Sequence, residues 1–153
     1  MTTAKRYEEI EAWQLANELK LEVYALIKDG PASRDFEFRD QIRSSAAYTT
    51  KNISEGFGRF RPAPFASFME IALASAMETQ ESLNDGIHRE HFAPERVDRA
   101  LRLAERTIKC SKALIAYLKG RANPRTKNHR TKNPAPRTGT PDPAPRTPND
   151  ELG

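Results

Sequence analysis

Within residues 1–120, proline occurs only at Pro31, Pro62, Pro64 and Pro94. A proline in a helix interior removes a hydrogen bond and clashes with the preceding turn, at a cost of about 3 kcal/mol. Long helices are therefore confined to the stretches between prolines, at 5–29, 34–60, 65–91 and 94–119. Four segments of matched length with short connections predict an all-α chain, an antiparallel up-down-up-down four-helix bundle.

Composition changes sharply near Gly120. Residues 121–153 hold seven of the eleven prolines, and their apolar residues are only Ala122, Ala135, Ala144 and Leu152. So little apolar surface cannot offset the entropy of ordering a chain. The segment also repeats itself, with RTKN at 125–128 and 130–133 and PAPRT at 134–138 and 143–147. The expected organisation is a bundle over 1–120 and a disordered, basic, Pro-rich tail over 121–153. Charge divides at the same place. Residues 1–120 carry 18 basic and 18 acidic side chains, whereas the tail carries seven and three, so the whole net charge of +4 belongs to the tail. A basic arm of this kind suits polyanions or simply keeps a protein soluble.

Cys110 is the only cysteine, so no intrachain disulfide is possible. The chain opens without an apolar run, and its longest uninterrupted apolar stretch, Ala113–Leu118, is far too short to span a bilayer. These features predict a cytoplasmic, soluble protein with no membrane association.

Apolar spacing supports each helix. In the fourth segment Val97, Leu101, Ala104, Ile108, Ser111, Ile115 and Leu118 are spaced 4-3-4-3-4-3, and Gly120 is a plausible stop. In the third, Phe65, Phe68, Met69, Ala72, Ala76, Leu83 and Ile87 repeat the pattern. The first offers Ile10, Trp13, Ala16, Leu19, Val23, Leu26 and Ile27, with Trp13 expected in the core. Its further apolar residues Leu15 and Tyr24 suggest a second contact, such as another subunit. The small residues Ser44, Ser45, Ala46 and Ala47 of the second segment are expected to face the small-residue middle of the third. Net charges alternate along the chain at −2, +2, −4 and +4. In a square bundle each helix then neighbours two of opposite sign, which disfavours wrong pairings.

Residues 41–59 read QIRSSAAYTTKNISEGFGR, preceded by EAWQLANELKLEVYALI and followed by PFASFMEIALASAMET. Over about residues 7–118 this resembles the four-helix-bundle proteins encoded within intervening sequences of bacterial large-subunit (23S) ribosomal RNA genes. The most specific element is Asn52-Ile53-Ser54-Glu55-Gly56 followed by Arg59, with Trp13-Gln14, Gln41 and Arg43 also fitting. The chain departs from the family pattern at Ser54, where Ala is usual, and at Ser44, where a second basic residue is frequent. The resemblance implies an up-down-up-down bundle that assembles as a ring-like homopentamer. It also implies likeness in fold to the accessory proteins of diversity-generating retroelements, which work beside a reverse transcriptase and bind nucleic acid. No enzymatic activity attaches to the family.

The residues themselves offer charge rather than catalysis. Arg39, Arg43 and Lys51 are read as one basic stripe of the second helix, suited either to a phosphate backbone or to pairing with the acidic first and third helices. Arg99, Arg102, Arg106 and Lys109 form a comparable stripe on the fourth. Arg59 and Arg61, with the tail's Arg125, Lys127, Arg130 and Lys132, complete the candidate nucleic-acid contacts. Gln41, Asn52, Glu55 and Gly56 read as a structural polar motif that fixes the second turn or a subunit interface, with Gly56 permitting close backbone packing or loosening the helix end. His88 and His91 have i, i+3 spacing, but a metal site needs more ligands than that pair supplies, so no metal and no cofactor are expected. Catalysis by Glu55 would need a partner base, and none is apparent. The resulting expectation is a non-enzymatic homo-oligomer with electrostatic affinity for RNA or DNA, accessory to a nucleic-acid-processing enzyme. The alternative is an adaptor that presents a groove to a protein partner.

Overall fold

The computed structural model describes residues 4–124, and among them every regular element is helical. A 3-10 turn at Tyr7–Glu9 leads into α1 (Glu11–Leu26), followed by the short α2 (Gly30–Arg34), α3 (Phe36–Phe57), α4 (Pro62–His88) and α5 (Pro94–Ala122). The four long helices pack as a closed square, α1 against α3, α3 against α4, α4 against α5 and α5 back against α1. Tight turns join α3 to α4 and α4 to α5, so consecutive helices run antiparallel.

The prolines begin helices rather than merely separating them. Pro62 opens α4 and Pro94 opens α5, and Pro64 also lies in the first turn of α4. A missing N–H is harmless there, because first-turn amides have no intrahelical acceptor. The third segment therefore starts at Pro62, not 65, and it ends at His88, before Glu90 turns left-handed (φ 61°). Pro31 likewise sits in the first turn of α2, an element the sequence reading treated as a break. Gly120 does not stop the last helix, since α5 continues to Ala122.

Two apolar clusters fill the interior. One gathers Leu19, Val23, Ile42, Leu83, Val97 and Leu103 near the α2 end. The other gathers Ala12, Ile53, Met69, Ala72, Ile115 and Leu118 near the opposite end, with half-buried Trp13 packed against it as expected for a core residue. Alongside these apolar residues, α3, α4 and α5 bury the hydroxyl residues Ser45, Thr49, Thr50, Thr79, Thr107 and Ser111. Thr107 bonds its own helix at Leu103 O (2.7 Å), which lets a polar residue occupy a core position. The buried stripe of α5 is accordingly rotated from the expected one: Ala100 and Thr107 are buried, while Leu101 and Ile108 are half-exposed.

The small-residue patches of α3 and α4 do face each other. The Thr79 hydroxyl donates to Ser45 Oγ at 2.8 Å across the helix pair. Gly56 approaches α4 so closely that an added Cβ would lie 2.7 Å from Phe68 Cβ and 2.9 Å from a ring carbon of Phe65. The alternating charges also find each other. Arg99 of α5 pairs with Glu22 of α1, and Lys119 of α5 pairs with Glu70 of α4 at 2.5 Å.

Candidate nucleic-acid interface

At about 100° of rotation per helical residue, Lys51 lies about 80° round α3 from Arg43 and about 120° from Arg39. The three basic residues therefore do not form one stripe. Arg39 is half-buried and occupied: it donates to Asp40 (3.2 Å) and to Ser33 O (3.2 Å), and its guanidinium lies 4.7 Å from the Phe36 ring centroid. Arg43 is exposed, 3.9 Å from Asp40 of its own helix. Lys51 is exposed, with its ammonium 5.7 Å from the Tyr48 ring. Neither Arg39 nor Arg43 pairs with α1 or α4; those cross-helix pairs come from α5 instead.

The polar motif divides similarly. Gln41, Asn52 and Glu55 share one edge of α3 beside α4, and Tyr48, more than half exposed, lies on the same edge. Tyr48 escaped the sequence reading, although its spacing from Gln41 (i+7) and Asn52 (i−4) was available to find it. Asn52 donates back to Tyr48 O at 2.8 Å, so it supports its own helix rather than the turn. Glu55 does brace the turn, by accepting from Arg59 at 3.0 Å, and Arg59 in turn stacks 5.0 Å from the Phe68 ring of α4. Gly56, which is buried, supplies the close approach that lets α4 return against α3.

One end of the bundle collects basic side chains from three parts of the chain. Arg59 and Arg61 lie in the α3–α4 turn, Lys119 and Arg121 at the end of α5, and Lys5 and Arg6 beside the 3-10 turn that packs on α3. Arg61 is the N-cap of α4 and is exposed, so its side chain stands where the positive end of the helix dipole also points. Glu8, Glu55 and Glu70 partly neutralise Arg6, Arg59 and Lys119. The chain leaves the bundle at this same end. Arg125, Lys127, Arg130 and Lys132 follow in sequence but lie outside the described residues.

The opposite end is organised by Asp35. It caps α3 through Phe38 N (3.2 Å), lies 2.8 Å from His91 Nε2 and pairs with Arg89 at 3.3 Å. The His91 hydrogen bond, the backbone N–H and the nearby Arg89 hold the Asp35 carboxyl below its ordinary range. His91 is beyond the end of α4 and engaged with Asp35, while His88 is exposed, so the i, i+3 pair does not converge. Among the described residues no group of three or more His, Cys, Asp or Glu side chains is placed to hold a metal ion. Cys110 packs against both apolar clusters, and burial pushes its thiol up, the opposite of what a reactive nucleophile requires. Among the described residues no helix is long and apolar enough to cross a membrane.

The sequence pattern of the family described as 23S rRNA-intervening sequence protein matches residues 8–113, which is α1 to α5 without the last turns of α5. The chain belongs to this family. The match includes the whole α3 edge from Gln41 to Glu55 and the Arg59–Arg61 turn, and it ends before the basic sequence that follows α5. No curated protein matches the chain.

Proposed function

We propose that this family member is a non-enzymatic, cytoplasmic, ring-forming homo-oligomer that binds RNA or DNA through charge and serves as an accessory or scaffold to a nucleic-acid-processing enzyme. The observation that carries this reading is the gathering of Arg59, Arg61 and Arg121 at the bundle end where α5 finishes and from which residues 122–153, net +3, follow in sequence. The rest of the bundle sums close to neutral, its basic fourth segment (+4 over 94–119) being balanced by the acidic third (−4 over 65–91), so the surplus of the whole chain lies in the sequence that follows this end. A ring that points several such ends the same way multiplies the effect, because linked weak contacts gain avidity without any new contact type. Arg39 has no part in this interface, being spent on Asp40 and Ser33, and Arg43 stands about 21 Å along α3 from it, which leaves Lys51 as the α3 base nearer to this end.

A gel-shift with generic single-stranded RNA at two salt concentrations tests the proposal. Binding should be strong at low salt and weak at high salt. Replacing Arg59, Arg61, Arg125, Lys127, Arg130 and Lys132 by Gln should reduce both the affinity and its salt dependence. A protein-partner adaptor is the second reading, favoured by the open groove that Gln41 shares with Met77, Glu78 and Glu81 of α4. An intact assembly that binds no RNA at low salt would select it.

A further inference from the structure

Residues 62–87 contain no Lys or Arg, and α4 turns most of its acids outward. On its outer surface Ile71, Ala74, Glu78, Glu81 and Asp85 follow one another at 3-4-3-4 spacing. The first four are exposed and Asp85 is half-exposed, with Ile71 about half uncovered. This is the geometry of a coiled-coil seam, facing solvent. α5 carries a second seam on its own outer surface: Arg102, Arg106, Lys109, Ala113 and Ala116, all exposed, at 4-3-4-3 spacing. Each runs over about 21 Å at 1.5 Å per residue.

The two seams match when laid antiparallel. Ile71 then meets Ala116, Ala74 meets Ala113, Glu78 meets Lys109, Glu81 meets Arg106 and Asp85 meets Arg102. Apolar and small residues face one another at one end, and acids face bases at the other. Within one chain this match cannot form, because α4 and α5 already pack through their inner faces and both seams point away from the core. Glu78, Glu81, Arg106 and Lys109 make no ion pair among the described residues; Asp85 pairs with Arg89 just past the end of α4, and Arg102 pairs with Asp98 of α5, both exposed pairs that can exchange partners.

We infer that the outer seam of α4 in one copy docks antiparallel on the outer seam of α5 in the next. The inference rests on the homo-oligomer reading above and names its interface. The contact is heterologous, with each copy giving one seam and receiving another. α4 and α5 are adjacent corners of the square, so successive contacts turn in one direction and curve the assembly toward a small closed ring instead of a straight fibre. The small side chains Ala74, Ala113 and Ala116 allow close helix approach, and the charged half fixes direction and register. The docked α5 seam is withdrawn from nucleic acid, which leaves the bundle end and the tail as the phosphate-binding region.

Solution mass of the full chain, by sedimentation or native mass spectrometry, tests this with two charge-reversed proteins, E78K/E81K and R106E/K109E. The wild type should be a multiple of the 17.3 kDa chain. Each variant alone should fall to 17.3 kDa with unchanged helical circular dichroism, and mixing the two should restore species heavier than 17.3 kDa, because an α4 seam of one variant then meets an α5 seam of opposite sign on the other. An assembled wild type whose variants stay assembled overturns this interface and leaves the oligomer standing. Variants that dissociate without rescue on mixing also overturn the pairing. A wild type of 17.3 kDa overturns the ring and the interface together.

Discussion

Gly56 shows how one side chain's absence sets the path of a chain. It sits in the last turn of α3, buried against Phe65 and Phe68 of α4, where a Cβ would lie within 2.7 Å of Phe68 Cβ. Gly56→Ala should therefore lower stability by about 1–3 kcal/mol, the usual range for overpacking, measured by urea denaturation. Its cost as a helix residue was legible in the sequence, and of the two explanations offered for it, close packing is the one the geometry realises. Ser111 presents the opposite case. Its Oγ is buried with no hydrogen-bond partner among the described residues. Ser111→Ala should stabilise by about 1 kcal/mol, because an orphaned hydroxyl loses its water without compensation. Asp35 carries a pH signature. Its folded-state carboxyl is held low, chiefly by the hydrogen bond with His91, so its contribution is present above the ordinary carboxylate range and is lost as pH falls through the depressed value. Asp35→Asn should lower Tm at neutral pH, and the gap from wild type should close in strong acid, as followed by circular dichroism.

At the scale of elements, periodicity and charge were legible and boundaries were not. Four long helices, their square arrangement and the meeting of Ser45 with the middle of α4 all follow from apolar spacing, sign alternation and small-residue patches. Proline misled the boundary of α4, because a missing N–H forbids a helix interior and suits a helix start equally well. Thr107 misled the face of α5. Hydropathy ranks Leu101 and Ile108 above it, yet its hydroxyl is satisfied at Leu103 O and its compact side chain fits the centre. Of the candidate site the residue types were legible, and so was the divergence of Arg39, Arg43 and Lys51, since their spacing alone puts Lys51 about 120° from Arg39 on a helix; what spacing does not carry is Arg39's engagement with Asp40 and Ser33. The Ser45–Thr79 bond lends itself to a double-mutant cycle. Thr79→Val alone should cost about 1 kcal/mol, and with Ser45→Ala the double variant should cost less than the sum of the singles by about 0.5–1 kcal/mol.

For the whole molecule, charge has two uses under the proposed function. Opposite signs meet across neighbouring helices at Arg99–Glu22 and Lys119–Glu70, and the surplus positive charge of residues 121–153 is the part we propose is kept for a polyanion. The first use survives salt poorly at exposed pairs but is backed by the apolar core. The second has no such backing, so its salt dependence is its signature. The most direct measurement is a fluorescence titration of generic single-stranded RNA with the intact protein across a range of salt concentrations. Log affinity should fall linearly with log salt, with a slope of about −3 or steeper, as expected when four or more phosphates exchange counterions for Arg and Lys. Binding that is flat across salt, or no binding at the lowest salt, would contradict it.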